Sequence, residues 1–175
     1  MLAVEVEIDG INYDLDTETY QTTVIAKSSG EYSGEVVIPK SVEHEGTAYS
    51  VTSIGEDAFQ DCSGLTSVTI GNSVTSIGDR AFKDCSGLTS VTIGNSVTSI
   101  GYGVFSGCDG LTSVVVEDGN SVYDSRNNCN AIIETATNTL HYGCKTTIIP
   151  NSVTSIGYGA FYDCDGLTSV TIPNS

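Results

Sequence analysis

The sequence predicts a repeat solenoid, in which short parallel β-strands stack on one another. The phrase "VTSIG" begins at residues 51, 74, 97 and 153, and "GLTSV" begins at 64, 87, 110 and 166. The first three copies of each are therefore spaced by 23 residues. Residues 51–73 and 74–96 are identical except at three positions. Self-similarity with a short fixed period is typical of solenoids, in which each repeat packs on its neighbours.

One repeat contains two candidate strands and a returning turn. Val68 and Ile70 alternate with Ser67 and Thr69, which is the pattern of a strand with one buried face. After a turn, the "VTSI" segment predicts a second short strand, and the segment around Phe82 predicts a short helical or 3₁₀ turn. The apolar positions of one repeat are Leu65, Val68, Ile70, Val74, Ile77, Ala81, Phe82 and Cys85. So few side chains do not form a core by themselves, so repeats must stack.

The three positions that differ between the first two copies are predicted to face water on the connecting turn. They hold Glu56, Asp57 and Gln60 in one copy, and Asp79, Arg80 and Lys83 in the next. The later copies carry Tyr102, Gly103 and Ser106, and then Tyr158, Gly159 and Tyr162. The invariant Thr and Ser residues either form hydrogen-bonded ladders between repeats or reflect a recent duplication.

Two segments depart from the repeat. Residues 1–50 are predicted to form an N-terminal β-hairpin cap with a degenerate first repeat, because Asp9-Gly10 is a hairpin signal and "GEVVIPKSV" aligns with "TSVTIGNSV". Residues 51–175 then form the solenoid, with a hairpin insertion at 117–149 whose strands lie near 131–135 and 139–143. The insertion is either a tolerated bulge or a functional surface that includes Tyr123, His141 and Tyr142.

The segment "VTSIGDRAFKDCSGLTSVTI" at 74–93 and its copies resemble the BspA-type leucine-rich repeats of bacterial cell-surface proteins. The segment "YDSRNNCNAIIETATNTL" at 123–140 resembles an insertion frequent in that family. The resemblance implies a leucine-rich-repeat parallel β solenoid that is extracellular or on the cell surface. It also implies a non-enzymatic, adhesin-like module that binds a host or other extracellular protein. The N-terminus has no signal peptide, so this location depends on the resemblance, and we expect the chain to be part of a longer array.

Charge excludes one class of partner. The formal net charge of -16, with six Lys and Arg residues, argues against nucleic acid, because few cations are present to neutralise phosphates. The acidic surface either keeps the protein soluble or steers it toward a basic partner. The sequence has no apolar run of about 18 residues, so no membrane span is predicted.

No catalytic, cofactor-binding or metal-binding residue is predicted. The two histidines, His44 and His141, lie on predicted surface hairpins, and no nucleophile motif accompanies them. Four cysteines share one repeat position and are predicted to be buried, namely Cys62, Cys85, Cys108 and Cys164. Cys129 and Cys144 flank the predicted hairpin and either form a disulfide or remain free.

The predicted partner-binding residues lie on the polar face of the first strand and on the insertion. They are Ser67, Thr69, Ser90, Thr92, Ser113, Val115, Ser169, Thr171, Tyr123, His141 and Tyr142. The alternatives are a purely structural spacer and, more remotely, a hydroxyl ladder that binds ice or glycan. The last repeat ends without a polar cap, which predicts self-association through the C-terminal edge.

Overall fold

The structure, a computed structural model, describes Val4–Pro173 as a β solenoid whose strands form three sheets. The N-terminal strands are β1 (Val4–Ile8), β2 (Ile11–Asp16) and β3 (Gln21–Ile25), which pair antiparallel in that order. Asp9 and Gly10 turn the chain with φ of 50° and 81°, as the two central residues of a tight hairpin require. The hairpin predicted at Asp9-Gly10 is confirmed.

The first parallel ladder is a four-stranded sheet with the order β11-β9-β7-β4. Its strands are β4 (Gly34–Ile38), β7 (Leu65–Ile70), β9 (Ser90–Ile93) and β11 (Ser113–Val116). Val36 pairs with Val68 and Ile38 pairs with Ile70, so the predicted alignment of the degenerate repeat is confirmed. Three "GLTSV" copies contribute to this ladder, but the fourth, at residues 166–170, forms no strand.

The second parallel ladder is formed by the "VTSI" segments. It contains β6 (Thr47–Ile54), β8 (Ser76–Ile77) and β10 (Ser99–Ile100). Strand β3 pairs parallel with β6, so the N-terminal strands extend this ladder. Strand β5 (Ser41–His44) pairs antiparallel with β6. Each of the first three repeats therefore adds one strand to each ladder, and we call each such layer of the solenoid a rung.

The segments that lead from the second ladder back to the first are called the outer arcs, residues 55–64, 78–87, 101–110 and 157–166. Sequence predicted short helical or 3₁₀ turns there, but the arcs consist of separate turns. Asp57 and Asp61 have φ of 55° and 61°, in the left-handed region that interrupts a helix. Neighbouring arcs are joined by backbone hydrogen bonds such as Phe59 N–H to Ala81 O at 2.7 Å. Among the described residues, Arg126–Asn128 alone form a 3₁₀ helix.

An aromatic stack runs through the core along the solenoid. The ring centroids of Phe59 and Phe82 are 4.9 Å apart, and those of Phe82 and Phe105 are 5.7 Å apart. Tyr32 lies at one end, 4.4 Å from Phe59, and Tyr142 at the other, 5.8 Å from Phe105. One buried cluster extends from Ile11 to Cys144. Residues on both sides of position 50 belong to this one cluster. The predicted domain boundary at residue 50 therefore does not coincide with a break in the core, and it stays a prediction.

The insertion contains the predicted hairpin and contributes a rung of its own. Its strands are β12 (Tyr123–Asp124), β13 (Ala131–Glu134) and β14 (Thr139–Gly143). Strand β15 (Ser155–Ile156) follows the insertion and belongs to the same sheet. Strands β13 and β14 pair antiparallel, whereas β14 and β15 pair parallel, with Leu140 opposite Ile156. Strand β14 thus takes the place of a "VTSI" strand. Within Val4–Pro173, no helix is long and apolar enough to cross a membrane.

Candidate functional site

The outer surface of the first ladder presents two rows of small side chains, which we call the ladder face. Ser67, Ser90 and Ser113 pair in register and form one row. Thr69, Thr92 and Val115 form the second row, two residues further along each strand. Side chains in register on neighbouring strands lie about 5 Å apart. The ladder face is therefore a regular surface on which a partner meets the same chemistry at each rung.

The hydroxyls of the ladder face are free, unlike other invariant hydroxyls of the repeat. The Oγ1 atoms of Thr75 and Thr98 donate to the carbonyl one rung earlier, at 3.1 and 3.3 Å. Those of Thr89 and Thr112 do the same at 2.9 and 3.2 Å. These bonds confirm hydrogen-bonded ladders for that set. Within the described chain, the hydroxyls of the ladder face form no side-chain hydrogen bond.

The threonine row is bounded by apolar side chains. Val37 pairs with Thr69 at one end and is 63% exposed, whereas Val115 pairs with Thr92 at the other and is 43% exposed. An exposed valine at each end of two threonines gives the ladder face a mixed character. A face that mixes apolar and hydroxyl groups is better suited to contact another protein than a face of hydroxyl groups alone.

Ser169 and Thr171 do not extend the ladder face. Sequence places them on the fourth strand of the row, but residues 167–173 form no strand and pair with no neighbour in the described chain. The insertion supplies the next rung after β11, because Thr146 Oγ1 donates to Thr112 O at 2.5 Å. The predicted fourth strand is not formed because the insertion separates the last repeat from the third, and a binding role for Ser169 and Thr171 stays a prediction.

The insertion lies directly beside the ladder face. The backbone N–H of Val116 donates to Ser125 Oγ at 3.0 Å, and a groove next to Val115 is lined by Glu117, Asp118 and Arg126. Sequence reasoning missed Arg126, which lines this groove and forms several hydrogen bonds within the insertion. Its guanidinium donates to both carboxylate oxygens of Asp124, at 2.7 to 3.0 Å, and to Asn138 Oδ1 at 2.8 Å. These bonds to Asp124 raise the pKa of Arg126.

Two of the three predicted binding residues on the insertion face inward. Tyr123 is 7% exposed, and Tyr142 ends the aromatic stack while its hydroxyl donates to Gly101 O. Burial raises the pKa of Tyr142 to about 12. His141 is half-buried, with Nε2 3.8 Å from Glu134 Oε2. Both tyrosines pack against the core because the hairpin continues it, and a binding role for Tyr123 and Tyr142 stays a prediction.

The cysteines are free thiols in the structure. Cys62, Cys85 and Cys108 are buried as predicted, while Cys164 is half-buried. The disulfide considered between Cys129 and Cys144 is not formed. The two side chains belong to different buried clusters, and Cys144 Sγ instead lies 3.4 Å from Asn130 O. Within Val4–Pro173, no three His, Cys, Asp or Glu side chains are grouped to hold a metal ion.

The C-terminal edge exposes apolar side chains. Val170 and Ile172, which correspond in the repeat to the buried Val68 and Ile70, are 36% and 66% exposed. Ile148 of the preceding rung is 72% exposed. These residues lie where self-association was predicted, and pairing through this edge stays a prediction.

These features define a solenoid repeat protein with a free ladder face. Residues 39–140 and 136–175 match the family model of the BspA type leucine-rich repeat region, which occurs in six copies. The chain belongs to this family of leucine-rich repeat proteins. No curated protein matches the chain.

Solved structures of bacterial leucine-rich repeat proteins share the fold. One from Bacteroides ovatus is 30% identical with a TM-score of 0.68, and the match covers 96% of this chain and 41% of that one. One from Bacteroides capillosus is 25% identical with a TM-score of 0.60, covering 97% and 99%. The T. pallidum leucine-rich repeat protein is 25% identical with a TM-score of 0.58, covering 97% and 72%. This chain thus spans less than half of the first of these proteins.

Proposed function

We propose that this chain is a non-enzymatic binding module, located outside the cell or on its surface, that holds an extracellular protein on the ladder face. The insertion borders the interface through the groove beside Val115. The location is supported by membership of the BspA-type family, whose repeats are typical of bacterial cell-surface proteins. Repeat solenoids present extended surfaces that they use to bind other molecules, which supports a binding module.

One observation carries the proposal. Thr69 and Thr92 occupy the same position in successive repeats, yet within the described residues their hydroxyls bond to no other group, whereas the structural threonines bond to the preceding rung. Their hydroxyls are therefore available to an incoming partner. The exposed Val37 and Val115 add apolar area on both sides.

The test is a binding screen of the purified protein against extracellular-matrix proteins. For any protein that binds, the double variant Thr69→Arg with Thr92→Arg should weaken binding by about tenfold or more, because bulk and charge are added at the centre of the interface. The matched control is Thr75→Arg with Thr98→Arg, which places the same substitutions on the other ladder with the same spacing. The control should bind as the unmodified protein does.

A point variant tests the insertion. Removing residues 117–149 would also remove β14, which forms a rung of the core, so Asp118→Lys is the appropriate change. It reverses one charge in the groove and should weaken binding. Circular dichroism of each variant confirms that the fold is retained. If no matrix protein binds, or if the Thr69/Thr92 variant binds equally well, a structural spacer is the better description.

A further inference from the structure

A second exposed surface lies on the outer arcs, away from the ladder face. Tyr102, Tyr158 and Tyr162 are 50%, 92% and 56% exposed, and we call them the tyrosine platform. The rings of Tyr102 and Tyr158 stack with centroids 6.2 Å apart and an interplanar angle of 25°. Exposed aromatic groups of this kind are uncommon on a protein surface unless they contact another molecule.

The insertion brings these tyrosines together. Because Tyr142 turns inward onto Phe105, the rung of the insertion has a shortened arc, and the third and fourth outer arcs touch. Ser106 Oγ donates to Asp163 Oδ2 at 2.8 Å, and the backbone N–H of Asp165 lies 3.2 Å from Asp109 Oδ1. Residues separated by 56 or 57 positions therefore meet on one surface.

Glycine keeps the platform open. Gly103 and Gly159 have φ of 64° and 70°, at the repeat position where Arg80 has φ of 53°. A Cβ added at Gly159 would lie 3.8 Å from Cε2 of Tyr102 and 3.6 Å from Cβ of Tyr162. Any longer side chain there would crowd the rings. Its absence leaves their faces accessible to a partner.

The preceding rung shows how the outer arcs bind a guanidinium group. In the second arc, the guanidinium of Arg80 binds Asp57 Oδ1 at 3.0 Å and also binds Glu56 of the preceding arc. One rung later, Asp79 occupies the place of Glu56, Arg80 that of Asp57 and Gly103 that of Arg80, so one of the two carboxylates recurs and the guanidinium does not. Asp79 and Asp163 form no ion pair within the described part of the chain. Asp79 Oδ1 accepts the backbone N–H of Tyr102 at 2.8 Å, so this carboxylate lies beside the tyrosine platform, where it can pair with a guanidinium from outside.

From this geometry we infer that the tyrosine platform, with Asp79 and Asp163, binds an arginine-rich protein segment. Guanidinium groups stack on tyrosine faces and pair with carboxylates. The net charge of -16 attracts such a segment over longer distances. This surface is separate from the ladder face, so the two proposals stand or fall independently.

The test measures fluorescence anisotropy of a labelled peptide of alternating arginine and serine, at low salt. The full chain should bind it, and a peptide with uncharged citrulline in place of arginine should bind about tenfold more weakly or worse. Tyr102→Ser and Tyr158→Ser should each weaken binding about two- to fivefold. Gly103→Arg should also weaken it, because the new side chain occupies the place beside Asp79.

Matched controls separate this site from general charge attraction. Tyr20→Ser removes a tyrosine that is 56% exposed in the turn between β2 and β3, and Glu43→Gln removes an exposed acid on β5. Both should bind the peptide as the unmodified protein does. The proposal is overturned if the arginine peptide does not bind, or if losing both tyrosines leaves binding unchanged. It is also overturned if the tyrosine variants bind a neutral oligosaccharide more weakly but bind the arginine peptide as before. The platform would then be a glycan site.

Discussion

The ring of Tyr32 packs against the ring of Phe59 with centroids 4.4 Å apart. The hydroxyl of Tyr32 also accepts the backbone N–H of Asn12 at 2.9 Å and donates to Ile25 O at 2.7 Å. One buried side chain thus connects the N-terminal strands to the first full repeat. In a solenoid, stability depends on such contacts between neighbouring units, so the end of the array is secured here.

Two substitutions of Tyr32 should destabilise the protein to different extents. Tyr32→Phe should lower the free energy of unfolding by about 1–3 kcal/mol, because the N–H of Asn12 loses a partner. Tyr32→Ala should lower it by about 3–5 kcal/mol, because the stack with Phe59 is lost as well. Denaturant unfolding measures both. Tyr20→Phe, at an exposed position, should change it by less than about 0.5 kcal/mol, and an equal effect of Tyr20→Phe and Tyr32→Phe would contradict this account.

Gly143 is predicted to tolerate no side chain. A Cβ at this position would overlap the ring of Phe161, which packs against the second buried cluster. Gly143→Ala should therefore cost about 1–3 kcal/mol by overpacking. Hydrogen exchange should show the loss mainly in the last two rungs, because each rung contacts only its neighbours.

The control for Gly143→Ala is Gly64→Ala. There the nearest atom to an added Cβ is Cβ of the exposed Ser33, at 3.1 Å, which can move. A similar loss for both variants would indicate that backbone freedom, rather than the Phe161 ring, sets the cost.

Thiol chemistry should distinguish the buried cysteines. Burial raises the pKa of Cys62 to about 11 and raises that of Cys164, while hydrogen bonding to Cys108 and burial together raise that of Cys85. Because the thiolate is the reactive form, native thiols should react slowly at neutral pH and faster as pH rises toward these pKa values. The half-buried Cys164 should react first.

Titration of the unfolded, unreduced chain gives the matching count. All six cysteines should react, because none is bridged in the structure. A count of four, with a peptide joining Cys129 and Cys144, would restore the disulfide that sequence left open.

Sequence predicted the regular part of the fold in detail. The register of Val36 and Ile38 against Val68 and Ile70 follows from alternation, since a shift by one residue would turn every apolar side chain outward. The same logic placed the hydroxyls of Thr69 and Thr92 on the outside. It did not separate these free hydroxyls from those of Thr75 and Thr98, because both kinds occupy exposed positions in the pattern.

Sequence did less well where the period is broken. Tyr142 resembles a surface residue of a hairpin until the hairpin is docked, when its ring extends the line of Phe59, Phe82 and Phe105. Ser169 and Thr171 match the repeat but fall outside its ladder, because β14 stands between the third and last repeats.

The amino-acid sequence by itself determined that this protein is a solenoid, which strands pair, and which residues of each rung face inward. It did so because every repeat packs on a copy of itself, so one period contains the contacts of all. Tertiary structure alone decided which side chains of the insertion are buried and which distant residues meet, as Tyr102 and Tyr158 do. Those contacts depend on how the interrupted chain folds back, and no periodic pattern in the sequence encodes that path.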